Sequence, residues 1–213
     1  MTQFLDVETD AIVGVGFSDT AEGLSAIKDA GCAAVVWERD APDFTAWLAA
    51  LSPSQLPKTR VVVKPAQIAA EVELACQEAG TPDGGEREAM IVDFAHLAET
   101  FAATTNAPYL RLRLDVVTTN ACRKFHIDAV MSRLVCTYRG TGTQYGNSPD
   151  RSDPAYFGTV QTGNPIVLRG TLWPESPSAG LLHRSPPIEG TGETRLLLVL
   201  DPIFDVEDAY QRI

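Results

Sequence analysis

The feature that most constrains this chain is a change in hydrophobic periodicity near residue 108. In the segment PYLRLRLDVV, Leu110, Leu112 and Leu114 alternate with Arg111 and Arg113. Successive side chains of a β-strand point to opposite faces, so this alternation predicts a strand with one buried face. Before this point apolar residues recur at helical spacing, as in EREAMIVDFAHLAETF. We therefore expect a helix-rich half followed by a β-rich half.

The elements on either side of this change predict an α+β fold. Residues 1–107 alternate helical segments with two short strand candidates, CAAVVW and RVVVK, and we expect a helix-rich layer there. Residues 108–213 contain the strand candidates MSRLVCTY, IVLRG and TRLLLVLD, separated by loops rich in Gly, Pro and Ser and without helical crossovers. This pattern favours a β-barrel or β-sandwich over a parallel sheet. We predict one domain over residues 1–213, with the N-terminal helices packed outside a β-barrel core.

Charge and hydropathy exclude several classes of function. The net charge is −11, and within residues 1–100 acidic residues outnumber basic ones by 17 to 6. Nucleic-acid binding requires clustered Lys and Arg, so we expect no nucleic-acid partner. No apolar run approaches the ~20 residues that span a bilayer, and the first residues lack a signal-peptide pattern. The expectation is a cytoplasmic protein without a membrane partner.

Three residues of the β-rich half form a candidate metal site. His126 and Asp128 stand two positions apart in KFHIDAV, and on a strand such residues project to the same face. If His183, in GLLHRSPP, completes the site, two imidazoles and one carboxylate leave coordination positions open, which suits a non-haem Fe(II) enzyme. The structural alternatives are an H-x-D on a surface turn and a His183 that caps the loop before Pro186.

Arg195 is the candidate for binding an anionic co-substrate. It stands twelve residues after His183, at the start of the apolar strand candidate RLLLVLD. A guanidinium that points inward beside an iron site can hold the far carboxylate of a dicarboxylate. The alternative is a structural salt bridge from Arg195 to Asp201 or to another carboxylate at the rim of the barrel.

The remaining His and Cys residues leave the identity of the metal open. Cys122 lies four residues before His126, and Cys136 lies in the strand candidate LVCTY. Thiolate ligands would favour zinc, whereas buried and inert thiols are the simpler interpretation. His96 lies near the apolar face of the long predicted helix, where we expect a partly buried structural histidine.

Several segments resemble a known family. They are LRLRLDVVTTNACRKFHIDAVMSRLVCTYRGTGTQY, LLHRSPPIEGTGETRLLLVLDP and AVVWERDAPDFTAWLAAL, and they resemble the bacterial family DUF1826, which is defined by sequence and has no assigned activity. The H-x-D, the distal His and the following Arg are also similar to the double-stranded β-helix, a jelly-roll or cupin-like core, of Fe(II)/2-oxoglutarate-dependent oxygenases. That resemblance implies that His126, Asp128 and His183 are catalytic metal ligands and that Arg195 binds 2-oxoglutarate.

The leading functional hypothesis is an Fe(II)/2-oxoglutarate-dependent oxygenase, whose unknown small-molecule or protein substrate enters beneath the loop from Thr141 to Asp150. The alternative is a non-catalytic protein of metal homeostasis that binds zinc through the same three residues. A cupin-like isomerase or lyase would share the barrel, but the chain lacks the clustered H-x-H and Glu of that class. The sequence does not choose between iron and zinc and does not name the substrate.

Overall fold

The computed structural model describes residues 12–148, 150, 152–174, 180–205 and 207, which form an α+β fold with two β-sheets. The strands are β1 Val15–Ser18, β2 Ala34–Trp37, β3 Thr59–Val63, β4 Tyr109–Val117, β5 Ser132–Arg139, β6 Gln144–Asn147, β7 Gly158–Thr159, β8 Pro165–Arg169, β9 Leu181–Arg184 and β10 Arg195–Ile203. The α-helices are α1 Phe44–Ala50, α2 Ile68–Ala79 and α3 Gly85–Thr105, and short 3-10 helices cover Glu22–Lys28, Pro53–Gln55 and Pro65–Gln67. None of the helices in the described ranges combines the length and the apolar composition that a transmembrane helix requires.

From β4 onward the chain crosses several times between two sheets: β4, β5, β8 and β10 lie in the larger one and β6, β7 and β9 in the smaller one. The larger sheet has seven strands in the order β1-β2-β8-β5-β10-β4-β3, and the smaller one has the order β7-β6-β9. All neighbouring strands are antiparallel except β1 and β2, which are parallel. Tyr145 and Leu181 of the smaller sheet share an apolar cluster with Val135, Leu197 and Val199 of the larger sheet. The sheets therefore pack face to face as a sandwich.

The helices cover the other face of the larger sheet. Leu112 of β4 and Leu198 of β10 are inaccessible to solvent, and they belong to one apolar cluster with Phe94 and Phe101 of α3. The helix α3 ends at Asn106, whose φ of 55° is a left-handed conformation that Asn tolerates better than most residues. The chain then enters β4 within three residues. The alternation of β4 thus places its leucines against the helices and its arginines toward the smaller sheet.

The N-terminal half contributes strands as well as helices to this architecture. The predicted strand candidates CAAVVW and RVVVK form β2 and β3, and these two strands pair with β8 and β4 at opposite sides of the sheet core. The larger sheet therefore extends beyond residues 108–213, to which the sequence prediction confined it. The physical reason is that an open strand edge carries unpaired N–H and C=O groups, which an added strand satisfies. The single domain over residues 1–213 stays a prediction, because residues 1–11 and 208–213 lie outside the described part.

Candidate metal centre

The predicted ligands His126, Asp128 and His183 lie together beside β9. His126 and His183 exchange two backbone hydrogen bonds of 3.0 Å, so His126 occupies a single bridge instead of the longer strand that the sequence predicts. The carboxylate of Asp128 reaches both imidazoles: its Oδ2 lies 2.9 Å from His183 Nε2, and its Oδ1 lies 3.5 Å from His126 Nε2. Three side chains that are distant in sequence thus converge on one point.

The separations of the three side chains suit a shared metal ion. Each offers one ligand atom, and these atoms lie within 4.8 Å of one another. Bonds of ~2.0–2.2 Å to one metal, at right angles, separate neighbouring ligand atoms by ~3 Å. The Nδ1 atom of His126 lies 2.7 Å from the carbonyl oxygen of Lys124. When Nδ1–H donates to this carbonyl, the Nε2 atom of His126 carries the lone pair that a metal requires.

Burial and hydrogen bonding set the protonation states of these residues. Burial alone would raise the pKa of Asp128, but hydrogen bonds from His126 and His183, together with the positive charge of Arg133, lower it well below its usual range. Burial lowers the pKa of His183. Asp128 is therefore ionised and His183 is neutral at neutral pH, and these are the forms that bind metal ions.

Arg133 fixes the orientation of the Asp128 carboxylate. Its Nη1 lies 2.6 Å from Asp128 Oδ1, while its Nε and Nη2 donate to the two carboxylate oxygens of Asp201 at 2.6 and 2.9 Å. Such a bidentate pair holds the guanidinium plane in place. Asp201 is thus paired with Arg133, so the alternative salt bridge between Arg195 and Asp201 is not formed. Sequence reasoning missed Arg133, whose signal is its alternation with buried residues in MSRLVC.

Arg195 is inaccessible to solvent at the start of β10. Its Nε donates to the carbonyl oxygen of Thr141 at 2.6 Å, and its Nη2 donates to Thr137 Oγ1 at 3.3 Å. Its Nη1 is buried without a hydrogen-bond partner, and no carboxylate of the described residues lies within ion-pair distance of the guanidinium. Burial lowers the pKa of Arg195 to about 10, so the side chain remains charged at neutral pH. A buried charge without a counter-charge costs several kcal/mol, and an anionic ligand would remove that cost.

A small cavity of about 110 Å³ opens at the three candidate ligands and runs along the inner face of the larger sheet. Its walls include Val117, Thr143 and Leu197. Leu197 shares a strand face with Arg195, and Val117 is the residue opposite Arg195 in the β10–β4 register. Arg195 does not itself line the cavity, but it adjoins the wall formed by Leu197 and Val117. Its contact with a ligand in the cavity stays a prediction.

The other candidate residues lie away from the three ligands or contribute no donor to them. Cys136 lies in the apolar cluster on the helix side of the larger sheet, and burial raises its pKa to about 12. Cys122 is exposed and lines the cavity, but it is not part of the ligand cluster found in the described residues. His96 on α3 packs edge-on against Trp37.

The segment from Thr141 to Asp150, predicted as a loop above the substrate, is in part a strand. It contains β6, which pairs with β7 and β9. The prediction of an irregular loop is therefore wrong for these four residues, because two neighbouring strands satisfy their backbone groups. Entry of a substrate beneath this segment stays a prediction.

Comparison with known proteins yields one family match and a set of structures with a similar fold. The family model described as "Protein of unknown function (DUF1826)" matches residues 18–201. No curated protein sequence matches the chain. The crystal structure of the rice dioxygenase for auxin oxidation superposes with a TM-score of 0.51 at 14% identity, covering 88% of this chain and 80% of the rice chain.

Two further solved structures align less closely. The dioxygenase for auxin oxidation 1 of Arabidopsis thaliana, in a binary complex with 2-oxoglutarate, has a TM-score of 0.42 at 12% identity over 79% of this chain and 74% of its own. A Pseudomonas putida prolyl-4-hydroxylase has a TM-score of 0.39 at 14% identity over 76% of this chain and 96% of its own. At these identities the rice enzyme shows a shared fold. The chemistry must be argued from the residues of the site.

Proposed function

The chain belongs to the DUF1826 family, and we propose that it is a non-haem Fe(II)- and 2-oxoglutarate-dependent oxygenase. The observation that carries this proposal is the buried guanidinium of Arg195, which is attracted by Glu193 but has no ion-pair contact and an unpartnered Nη1, in the same sandwich that holds the His126, Asp128 and His183 cluster. A metal site alone fits many proteins, whereas a metal site with an unsatisfied cation fits a dicarboxylate co-substrate. The fold shared with the rice dioxygenase supports the proposal.

Two imidazoles and one carboxylate on one side of a metal are typical ligands of non-haem Fe(II). Once bound, Fe(II) would supply the activation of O2. The protein's part is to hold the ligand atoms: the carbonyl oxygen of Lys124 orients His126, and Arg133 orients Asp128. Partners of this kind fix the direction of a ligand's lone pair, and their loss weakens metal binding.

Arg195 would hold the carboxylate of 2-oxoglutarate that lies far from the metal. Its unpartnered Nη1 supplies a charge-assisted donor, and the Thr137 hydroxyl lies next to Nη2. The apolar side chains of Leu197 and Val117 line the cavity between Arg195 and the candidate metal ligands. In such surroundings a carboxylate and a guanidinium satisfy each other, whereas a neutral ligand would leave the guanidinium unpaired.

A protein that binds zinc without turnover is the second candidate, since the same three donors suit zinc. The donor set does not separate the two functions. Arg195 favours the oxygenase, because a zinc site has no need of an uncompensated buried cation. The two candidates therefore differ in what they predict for a dicarboxylate and agree on the metal ligands.

The test begins with protein purified without an affinity-tag metal. Elemental analysis gives its native metal, and anaerobic reconstitution with Fe(II) followed by admission of O2 measures the conversion of 2-oxoglutarate into succinate. We expect one iron per chain and O2-dependent succinate formation that His126→Ala abolishes. A tightly bound zinc that Fe(II) does not replace, together with unchanged 2-oxoglutarate, would contradict the proposal.

A further inference from the structure

A second guanidinium without a partner lies beside the candidate metal site. Arg113 of β4 lines the same cavity as His126, Asp128 and His183. Its Nε is buried without a hydrogen-bond partner, and no side-chain hydrogen bond or ion pair joins the guanidinium of Arg113 to a described residue. Arg195 at least donates to two protein oxygens. Arg113 is half-buried, and no carboxylate of the described residues forms an ion pair with it.

The carboxylates near Arg113 do not neutralise it. Asp128 and Asp201 are both paired with Arg133. Burial, and next the positive charge of Arg133, lower the pKa of Arg113. The attraction of Asp201 and Asp115 raises this pKa but does not offset the lowering. The neighbourhood of Arg113 therefore holds a positive charge for which the described side chains provide no direct counter-charge.

The wall of the cavity is cationic on an acidic chain. Its arginines are Arg113, Arg133 and Arg184, and its carboxylates are Asp115 and Asp128. The chain as a whole carries a net charge of −11. A divalent metal bound to Asp128 would make the cavity more positive still. An excess of one sign of charge in a cleft raises the local concentration of ligands of the opposite sign, so this lining is more favourable to anions than the chain as a whole.

The guanidiniums of Arg113 and Arg195 lie at well-separated positions on the inner face of the larger sheet. In the register of β4 and β10, Arg113 lies opposite Val199, whereas Arg195 lies opposite Val117. Arg195 and Val199 are four positions apart on β10, which corresponds to ~13 Å along the strand. One small dicarboxylate that pairs with Arg195 therefore leaves Arg113 available to a second anion.

We propose that Arg113 binds an oxyanion, either a carboxylate or a phosphate, of the primary substrate. The role of this anion as part of a substrate rests on the proposed oxygenase function. The anion site itself rests on the contacts and charges around Arg113. An arginine presents several N–H donors in a planar fork, which suits the planar carboxylate and the phosphate oxygens alike.

The body of this substrate has room outside the small cavity. A cavity of about 110 Å³ is below the ~300–1,000 Å³ of typical ligand sites. A larger cavity of about 440 Å³ lies on the other side of Arg133, which lines both, and its walls include Met131, Leu172, Phe204 and the carboxylates Asp201 and Asp205. Leu172 and Phe204 are about half exposed. The geometry thus fits a small organic acid or phosphate ester with an apolar or aromatic body.

The experiment measures anion binding to the metal-free full-length chain in the presence of a chelator. The probes are benzoate and phenyl phosphate, with benzamide as the uncharged match to benzoate, and binding is followed by ligand-observed NMR titration. The variants are Arg113→Gln, Arg113→Lys and Arg195→Met, with Arg60→Gln as the control. Arg60 is exposed and is the residue opposite Arg113 on β3.

We expect at least one of the two anions to bind the native chain at millimolar concentration and benzamide to bind about tenfold more weakly or not at all. Arg113→Gln should weaken anion binding about tenfold or more, the scale for losing one partner of a charge pair away from bulk water. Arg113→Lys should keep part of the affinity, and Arg195→Met and Arg60→Gln should each lower it much less than Arg113→Gln does. Whichever anion binds more tightly distinguishes a carboxylate from a phosphate substrate.

Equal binding of benzamide and benzoate by the native chain would overturn the proposal without any variant, as would the absence of binding by both anions. An unchanged affinity in a folded Arg113→Gln chain, or a loss in Arg195→Met alone, would also overturn it. Failure of the oxygenase function gives a different result, namely no 2-oxoglutarate binding by the Fe(II)-loaded native chain. In Arg113→Gln that binding should persist, which also shows that the variant is folded.

Discussion

The paired strands β4 and β10 have two faces, and the side chains on these two faces differ in chemical character. The face toward the helices carries Val116, Pro202 and six leucines that are almost inaccessible to solvent: Leu110, Leu112, Leu114, Leu196, Leu198 and Leu200. The face toward the smaller sheet carries charged residues among apolar ones: Arg111, Arg113, Asp115, Arg195 and Asp201. Other elements of the fold cover both faces. Apolar contacts alone are sufficient for the first face, whereas the charged side chains of the second need polar or charged partners.

The difference separates what holds the fold together from what binds ligands. The leucine face needs no partner beyond α3 and its neighbours. On the charged face Arg133 and Asp201 are paired, but Arg113 and Arg195 are not. A cation without an ion-pair partner is costly away from water, and the proposals above assign an anion to each of these two arginines. Changes on the leucine face should therefore reduce stability, and changes on the charged face should reduce binding.

Removing one imidazole should have the largest effect. We expect His126→Ala to abolish stoichiometric metal binding, because two remaining protein ligands hold a divalent ion poorly. Folding should change little, since His126 is partly exposed. Elemental analysis and thermal unfolding measure the two effects. The matched control is His96→Ala, which should keep the metal, and retention of one metal per chain by His126→Ala would refute the ligand assignment.

A cavity on the leucine face should be the next largest change. Leu198→Ala should lower the free energy of unfolding by ~2–5 kcal/mol, the range for truncating a fully buried leucine, as measured by denaturant titration. Leu74 on α2 is about half exposed, and Leu74→Ala should cost ~0.5 kcal/mol or less. Full stability of Leu198→Ala, or loss of metal binding by folded Leu198→Ala protein, would contradict the assignment of stability to the leucine face and of binding to the charged face.

In contrast to Leu198→Ala, Arg195→Met should reduce ligand binding and leave stability unreduced. Losing the guanidinium should weaken 2-oxoglutarate binding by ~2–4 kcal/mol, the scale for losing one partner of a buried charge pair, while metal content stays unchanged. The free energy of unfolding should stay level or rise, because methionine removes a buried charge that lacks a counter-charge. Calorimetric titration and denaturant titration give the two values. A fall in stability as large as that of Leu198→Ala would show that Arg195 is structural.

The smallest effect should come from Arg133→Lys. Lysine keeps the charge beside Asp128 and Asp201 but cannot reproduce the bidentate contact. Metal affinity should fall about tenfold, which is the lower end for residues that orient metal ligands, as measured by competition with a chelator. Arg60→Lys is the matched control and should change nothing. An unchanged metal affinity in Arg133→Lys would remove Arg133 from the support of the site.

Structural features are predicted correctly from the sequence where a local pattern of residues has a single physical cause. The alternation in PYLRLRLDVV predicts β4 because one face of the strand is buried, and the H-x-D spacing predicts that His126 and Asp128 face the same way. Alternating arginines, however, look the same in sequence whether their face meets water or a second sheet. The alternation therefore marks Arg113 and Arg133 as strand residues but does not mark them as residues of a site.

Contacts between distant segments account for the other differences. Nothing local in RVVVK tells which strand will accept β3 at its edge. The glycines of GTGTQYGNS suggested a loop, yet a Cβ atom at Gly142 would lie only 1.8 Å from the carbonyl oxygen of Val160. Glycine is required there because two backbone segments approach closely. Such a glycine is indistinguishable in sequence from one that serves a turn.

The most direct test of the central claim is a calorimetric titration of 2-oxoglutarate into the Fe(II)-loaded chain without O2. The account predicts one binding site per chain, lost or strongly weakened in Arg195→Met and kept in Arg113→Gln. No binding at millimolar concentration would contradict the oxygenase, and a metal-binding protein without turnover would then be the better description of the His126, Asp128 and His183 site.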